Sequence, residues 1–222
     1  MTLHRPSAVI FDLDGTLVDS HGSIRASIRA VVERHALAAP TPEALEVAVS
    51  LPLRSMLARI ADTQDEALVE AYAQTYLEHY VATMVEASHP FAGIAEALDA
   101  LDARRIPIAV LTNKTEINAK KICDGRFGID RFATLVGSVP ERANKPDPVG
   151  ALLAASRLSV SPRDCWLVGD SRIDVDTARA SGMVAIGAGW GIPAELVEKI
   201  ADADRLLDVP ASLIALVDAL PS

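Results

Sequence analysis

The sequence predicts an α/β protein: a Rossmann-like parallel sheet core carrying an inserted, small α-helical domain. Three observations predict it. After His89 short apolar runs alternate with helical patterns, those runs are apolar throughout rather than at every second residue, and a long helical stretch separates the first run from the rest. Continuously apolar strands alternating with helices indicate a parallel sheet covered on both faces.

The elements follow in order. "SAVIFDLD" (7–14) is a short β-rich run. From Gly22 to about Glu86 the pattern is helical, with apolar residues at three-and-four spacing in "IRASIRAVVERHAL" and "DEALVEAYAQTYLEHYVATMV". Next come helix "GIAEALDALDARR", strand "IPIAVLT", helix "EINAKKICDGR", strand "FATLVGS" and helix "PVGALLAASRL". Strand "CWLVGD", helix "DVDTARASG", strand "MVAIGAG", the run "DRLLDV" and helix "ASLIALVDAL" complete the chain. Gly182 stands where a helix C-terminal glycine belongs. The expected division is a core of residues 1–17 and 87–222 and a helical domain of residues 18–86. An insert after the first strand belongs over the carboxyl edge of the sheet, where open α/β sheets bind ligands.

Composition narrows the function. The chain has 222 residues, half of them hydrophobic, enough for a large core. Its formal charge of −9 argues against a nucleic-acid partner, which needs clustered Lys and Arg. No apolar run approaches the ~18 residues of a membrane span, and the N-terminus lacks an export signal, so no membrane partner is expected. Cys123 and Cys165 form no metal or disulfide spacing, which suits a reducing, cytoplasmic location.

The chemistry gathers at strand tips. Asp12 and Asp14, two apart at the end of the first run, are expected to project to one side. Two close carboxylates repel, so they share a proton, meet a divalent metal, or merely cap a strand end and turn. Gly15 permits a tight turn and Thr16 a hydrogen bond there. Asp170 ends another apolar run and Asp174 opens the next helix. If the first and fourth core strands are neighbours, Asp12, Asp14 and Asp170 form an oxygen-rich cluster suited to Mg²⁺. Asp176 reads as a helix N-terminal acid.

Other strand ends supply the opposite character. Thr112 and Asn113 precede a helix, so a hydroxyl and backbone N–H groups would meet an anion at a helix N-terminus. Lys145, before Pro146, is biased to an extended conformation. Lys114 reads as a surface residue.

"FDLDGTLVDS", "LTNK", "KPDP" and "GDSRIDVDTA", in this order and separation, resemble the four motifs of the haloacid dehalogenase (HAD) superfamily of phosphohydrolases. The helical insert then resembles a C1 cap, and the wording is similar to the phosphoglycolate phosphatase branch. The resemblance implies that Asp12 is the nucleophile and Asp14 the general acid, then base. It further implies that Thr112 and Asn113 bind phosphoryl oxygens and Lys145 neutralises charge. Mg²⁺ would be held by Asp12, Asp170 and the Asp14 carbonyl, with Asp174 in support. The expected substrate is a small phosphorylated metabolite and the expected assembly a monomer or homodimer.

Within the family, Asp14 distinguishes phosphatases from dehalogenases. No lysine occurs from Gly22 to Glu86, which excludes a phosphonatase-type cap lysine and weakens a β-phosphoglucomutase-type phosphomutase. Pyrophosphatase, sugar-phosphate phosphatase and a non-catalytic phosphate-ligand sensor are the other readings. "SLPLRSMLARI" takes the place of the cap's specificity loop, with Ser50 where relatives often have glycine. Arg54 could bind a substrate carboxylate; Arg54 and Arg59 are equally explained as solvated helix residues. His21 is a possible substrate contact or a structural histidine. "GAGWG" (187–191) has the wrong spacing for a dinucleotide loop and reads as a loop near the site rim, with Trp190 as wall or packing.

Overall fold

The computed structural model describes residues 3–48, 51, 53–193, 197–198 and 200–221. In chain order its elements are β1 (Ala8–Phe11), β2 (Val18–Asp19), α1 (His21–Arg34), α2 (Pro42–Ala48), α3 (Leu53–Ile60), α4 (Glu66–Ala87), β3 (His89–Pro90), α5 (Ile94–Ala103) and β4 (Ile108–Thr115). There follow α6 (Glu116–Phe127), β5 (Thr134–Ser138), α7 (Val149–Leu158), β6 (Cys165–Gly169), α8 (Arg172–Ser181), β7 (Val184–Ala188), β8 (Arg205–Leu207) and α9 (Ala211–Ala219). They make two compact units, Met1–Asp19 with His89–Ser222, and Ser20–Ser88. The boundary residues include β2 and β3, an antiparallel pair with Val18 opposite Pro90 and Asp19 opposite His89, too short to carry a periodic signal.

In the first unit six strands form one sheet in the order β5-β4-β1-β6-β7-β8, every pairing parallel. This is the Rossmann-type order, and it reverses direction between β1 and β6, the point where such sheets open a crevice. The register fixes what meets there. Phe11 lies level with Val110 and Val168, so the residues just beyond all three strands converge.

Alternation divides the core between two faces. Ala8, Ile10, Ala109, Leu111, Cys165 and Leu167 pack with Ala151, Ala154 and Ala155 of α7 and Val175 and Ala178 of α8, where alanines let the helices lie close to the sheet. Val9, Phe11 and Trp166, all fully buried, face the other way.

In the helical unit α1 packs on α4, burying Ile28 and Val31 with Tyr72, Tyr76 and Met84. Asp65 caps α4, accepting the N–H groups of Ala67 at 2.9 Å and Leu68 at 3.2 Å. Among the described residues no helix is long and apolar enough to cross a membrane.

Candidate active site

The structure corrects how the two N-terminal acids meet. β1 stops at Phe11, so strand alternation does not set Asp14. A turn does: the Leu13 carbonyl accepts the N–H groups of Leu17 and Val18, both at 3.0 Å, and Gly15 lies in the left-handed region at φ 79°. A Cβ on Gly15 would also come within 2.2 Å of Asp170 Oδ2, so the turn approaches β6 only because this residue is glycine. Thr16 bonds across the crevice rather than locally, its hydroxyl donating to Asp170 Oδ1 at 3.1 Å. Asp12 and Asp14 border one cavity of ≈ 170 Å³, together with Thr112, Asn113, Lys114, Lys145, Ser171 and Ile173.

Asp12 is held on one side by Lys145, whose Nζ stands 2.8 Å from Asp12 Oδ1 and 2.6 Å from Asp174 Oδ1. The Asp12 contact is an ion pair in the buried floor of the site. Burial opposes the charge on Lys145, but Asp12 and Asp174 outweigh it and hold its pKa above the ordinary lysine value. For Asp12 burial wins: together with the neighbouring Asp174 it pushes the carboxyl up to about 6 against the pull of Lys145.

Asp174 serves two structures at once. Its Oδ2 accepts the Ser171 N–H at 3.1 Å and the Ser171 hydroxyl at 2.5 Å, closing a capping box on α8, while Oδ1 takes Lys145. Asp12, Asp170 and Asp174 present carboxylate oxygens within 4.8 Å of one another. Both oxygens of Asp174 are engaged, whereas Asp12 and Asp170 each have one oxygen committed, to Lys145 and to the Thr16 hydroxyl, and are the better placed to hold a cation. Burial first, then Asp12 and Asp174, push the Asp170 pKa well above its ordinary value. Crowded buried carboxylates and all-oxygen donors fit a hard divalent cation.

The region after Leu111 departs from expectation. β4 runs on through Thr115 and α6 starts at Glu116, so Thr112 and Asn113 lie in a strand, not at a helix N-terminus. Thr112 Oγ1 accepts the Lys114 N–H at 3.1 Å. The Asn113 side chain is taken by the lysine loop: its amide donates to the Lys145 carbonyl at 3.0 Å and its carbonyl accepts the Lys145 N–H at 2.8 Å. Lys114 is not a surface residue. Its side chain is 10% exposed and its Nζ lies 2.8 Å from Asp14 Oδ1.

The model of one family, haloacid dehalogenase-like hydrolase, matches residues 9–188. The chain belongs to this family.

Its relatives agree. This HAD-like hydrolase is 34% identical over 218 residues to a phosphoglycolate phosphatase of Xylella fastidiosa, covering 98% of the chain and 95% of the relative. It is 35% identical over 186 residues to a phosphoglycolate phosphatase of Xanthomonas campestris pv. campestris, covering 84% of each. In fold it is similar to a haloacid dehalogenase-like family hydrolase of Streptococcus pneumoniae, with TM-score 0.81, 24% identity and 97% and 99% of the chains covered.

The remaining sequence candidates of this HAD-like hydrolase lie in the helical unit. Arg54, on α3, is exposed and pairs with Glu70 Oε2 at 2.8 Å; with Arg59 it borders a larger cavity of ≈ 1250 Å³ in that unit. His21 begins α1, and Ser50 lies outside the described residues. Asp176 pairs with Arg172 at 2.8 Å on the outer side of α8. Sequence reasoning missed Ser171 and Lys114. A capping box was legible in Ser171-x-x-Asp174, and Lys114 would have followed from extending the strand beyond Thr112.

Proposed function

We propose that this hydrolase is a Mg²⁺-dependent phosphatase of small phosphate monoesters, phosphoglycolate phosphatase-like. The observation that carries the reading is the pairing of each motif-one acid with its own lysine around one cavity: Asp12 with Lys145 and Asp14 with Lys114. One acid is buried beside a lysine, as suits attack on phosphorus; the other is more open, as suits proton exchange with an alcohol or water.

In the first step an oxygen of Asp12 bonds to phosphorus, the bond to the ester oxygen breaks, and Asp14 gives its proton to the departing alcohol. In the second, water gives a proton to Asp14 and attacks phosphorus, releasing phosphate and restoring the Asp12 carboxylate. Thr112 offers its hydroxyl to the phosphoryl group, and Lys145 offsets the charge of Asp12 as the two anions meet. Mg²⁺ bound by Asp12, Asp170 and the Asp14 carbonyl supplies further positive charge. Residues 18–86 act as a cap that selects substrate. Two buried, unpaired cysteines support a cytoplasmic setting.

The phosphatase relatives favour phosphoglycolate. The test is phosphate release from 2-phosphoglycolate, pyrophosphate, nucleoside monophosphates and sugar phosphates, with Mg²⁺ and with EDTA. Mg²⁺-dependent preference for phosphoglycolate is expected. Preference for pyrophosphate or a sugar phosphate would replace the substrate, and release insensitive to EDTA would overturn the reading.

A further inference from the structure

The loop after β7 bears on the same carboxylates. Gly189–Gly191 form a single tight helical turn there. The Trp190 indole Nε1–H donates to the Thr16 carbonyl at 2.9 Å. Thr16 is fully buried, and a buried carbonyl needs such a partner. One residue on, Gly191 lies against Gly15 so closely that a Cβ would sit 1.5 Å from the Gly15 carbonyl oxygen and 3.2 Å from Asp170 Cβ. No residue but glycine fits without displacing the turn. From the other side, the Thr16 hydroxyl donates to Asp170. The turn that carries Asp14 is therefore gripped at the Thr16 carbonyl, at the back of Gly15 and at the Thr16 hydroxyl.

We propose that Trp190 and Gly191 are positioning residues for the cation site: they press the Asp14–Thr16 turn against Asp170, so that oxygens of Asp12, Asp14 and Asp170 are presented together. Beyond any part the Trp190 ring has as wall or packing, its indole N–H holds a backbone carbonyl. The inference rests on the cation-dependent phosphatase reading above.

The test is calorimetric titration of the full chain with Mg²⁺ alone, beside kcat, KM and the melting temperature. Trp190→Phe keeps an aromatic ring and deletes the donor. A neutral hydrogen bond supports an effect of about three- to ten-fold, so Mg²⁺ binding weakens by about that factor. kcat falls at fixed Mg²⁺, while KM stays within about two-fold and the melting temperature falls by no more than several degrees, the loss of one buried hydrogen bond. Gly191→Ala, whose Cβ collides with Gly15, weakens Mg²⁺ binding more; if it does not fold, Trp190→Phe decides alone. Wild-type Mg²⁺ affinity in Trp190→Phe overturns the proposal, as does a raised KM with unchanged Mg²⁺ affinity. Asp170→Asn is the reference: should it bind Mg²⁺ as the wild type does, the cation reading itself fails and the positioning role falls with it.

Discussion

Lys145 and Asp174 form a buried ion pair, Nζ to Oδ1 2.6 Å, with side chains 5% and 2% exposed. Because Asp174 also closes the cap of α8 on Ser171, one carboxylate ties the helix start to the lysine beside Asp12. Leaving a buried charge alone costs about 3–5 kcal/mol, and removing Asp174 costs less than that because Lys145 keeps Asp12. Asp174→Ala is expected to lower the urea midpoint by a corresponding amount and to reduce kcat. An unchanged midpoint would mean that the pair contributes nothing in solution.

The contact between Lys114 and Asp14 predicts a different signature. The Asp14 side chain is 31% exposed, so losing Lys114 should affect stability little. Asp14→Asn removes acid–base transfer and should lower kcat by about 10²–10⁴-fold. Lys114→Met, which leaves the carboxylate without its anchor, is expected to lose a part of that with a native melting temperature. Steady-state kinetics on both variants checks the order; a loss in Lys114→Met equal to or greater than that in Asp14→Asn would contradict it.

Asn113 separates two roles by the kinetic constant that moves. Its side chain brackets the Lys145 peptide with two hydrogen bonds, so Asn113→Ala should loosen the lysine loop and lower kcat, with KM nearly unchanged. A rise in KM alone would return the Asn113 side chain to the phosphate.

The carboxylate cluster predicts how metal-free stability varies with pH. The Asp12 pKa rises from 3.8 to about 6 on folding, chiefly through burial, and that of Asp170 moves the same way. The folded state thus holds protons that the unfolded chain releases, and the stability this confers is complete below 3.8 and lost as pH rises through about 6. In EDTA these two groups should make the protein less stable at about pH 7.5 than at about pH 5, a difference that Mg²⁺ shrinks by binding the charged forms. Melting scans at both pH values, with EDTA and with Mg²⁺, measure it. A pH dependence that Mg²⁺ leaves untouched would contradict the cation reading.

Much of this was legible before any coordinates. Unbroken apolar runs such as "AVIF" and "CWLV" marked strands buried on both faces, and the turn at Gly15 was marked by the glycine itself. What sequence pattern could not supply is register and reach. That β1 lies between β4 and β6 is a matter of pairing across roughly a hundred and more residues, and it alone brings Asp170 to the Gly15 turn. A strand that ends at Thr112 would put Lys114 on the surface; the strand continues, and Lys114 reaches Asp14. The grip of Trp190 on Thr16 joins residues from opposite ends of the chain through an indole and a backbone carbonyl, which no spacing rule encodes.

The central claim is that Asp12 becomes phosphorylated and Asp14 moves the proton. The most direct measurement is to mix the wild-type protein with substrate and Mg²⁺, quench in acid within the first turnover and map the phosphorylated peptide by mass spectrometry. The account predicts phosphate on the peptide containing Asp12, and none in Asp12→Asn. Full turnover by Asp12→Asn, or phosphate trapped on any other residue, would contradict it.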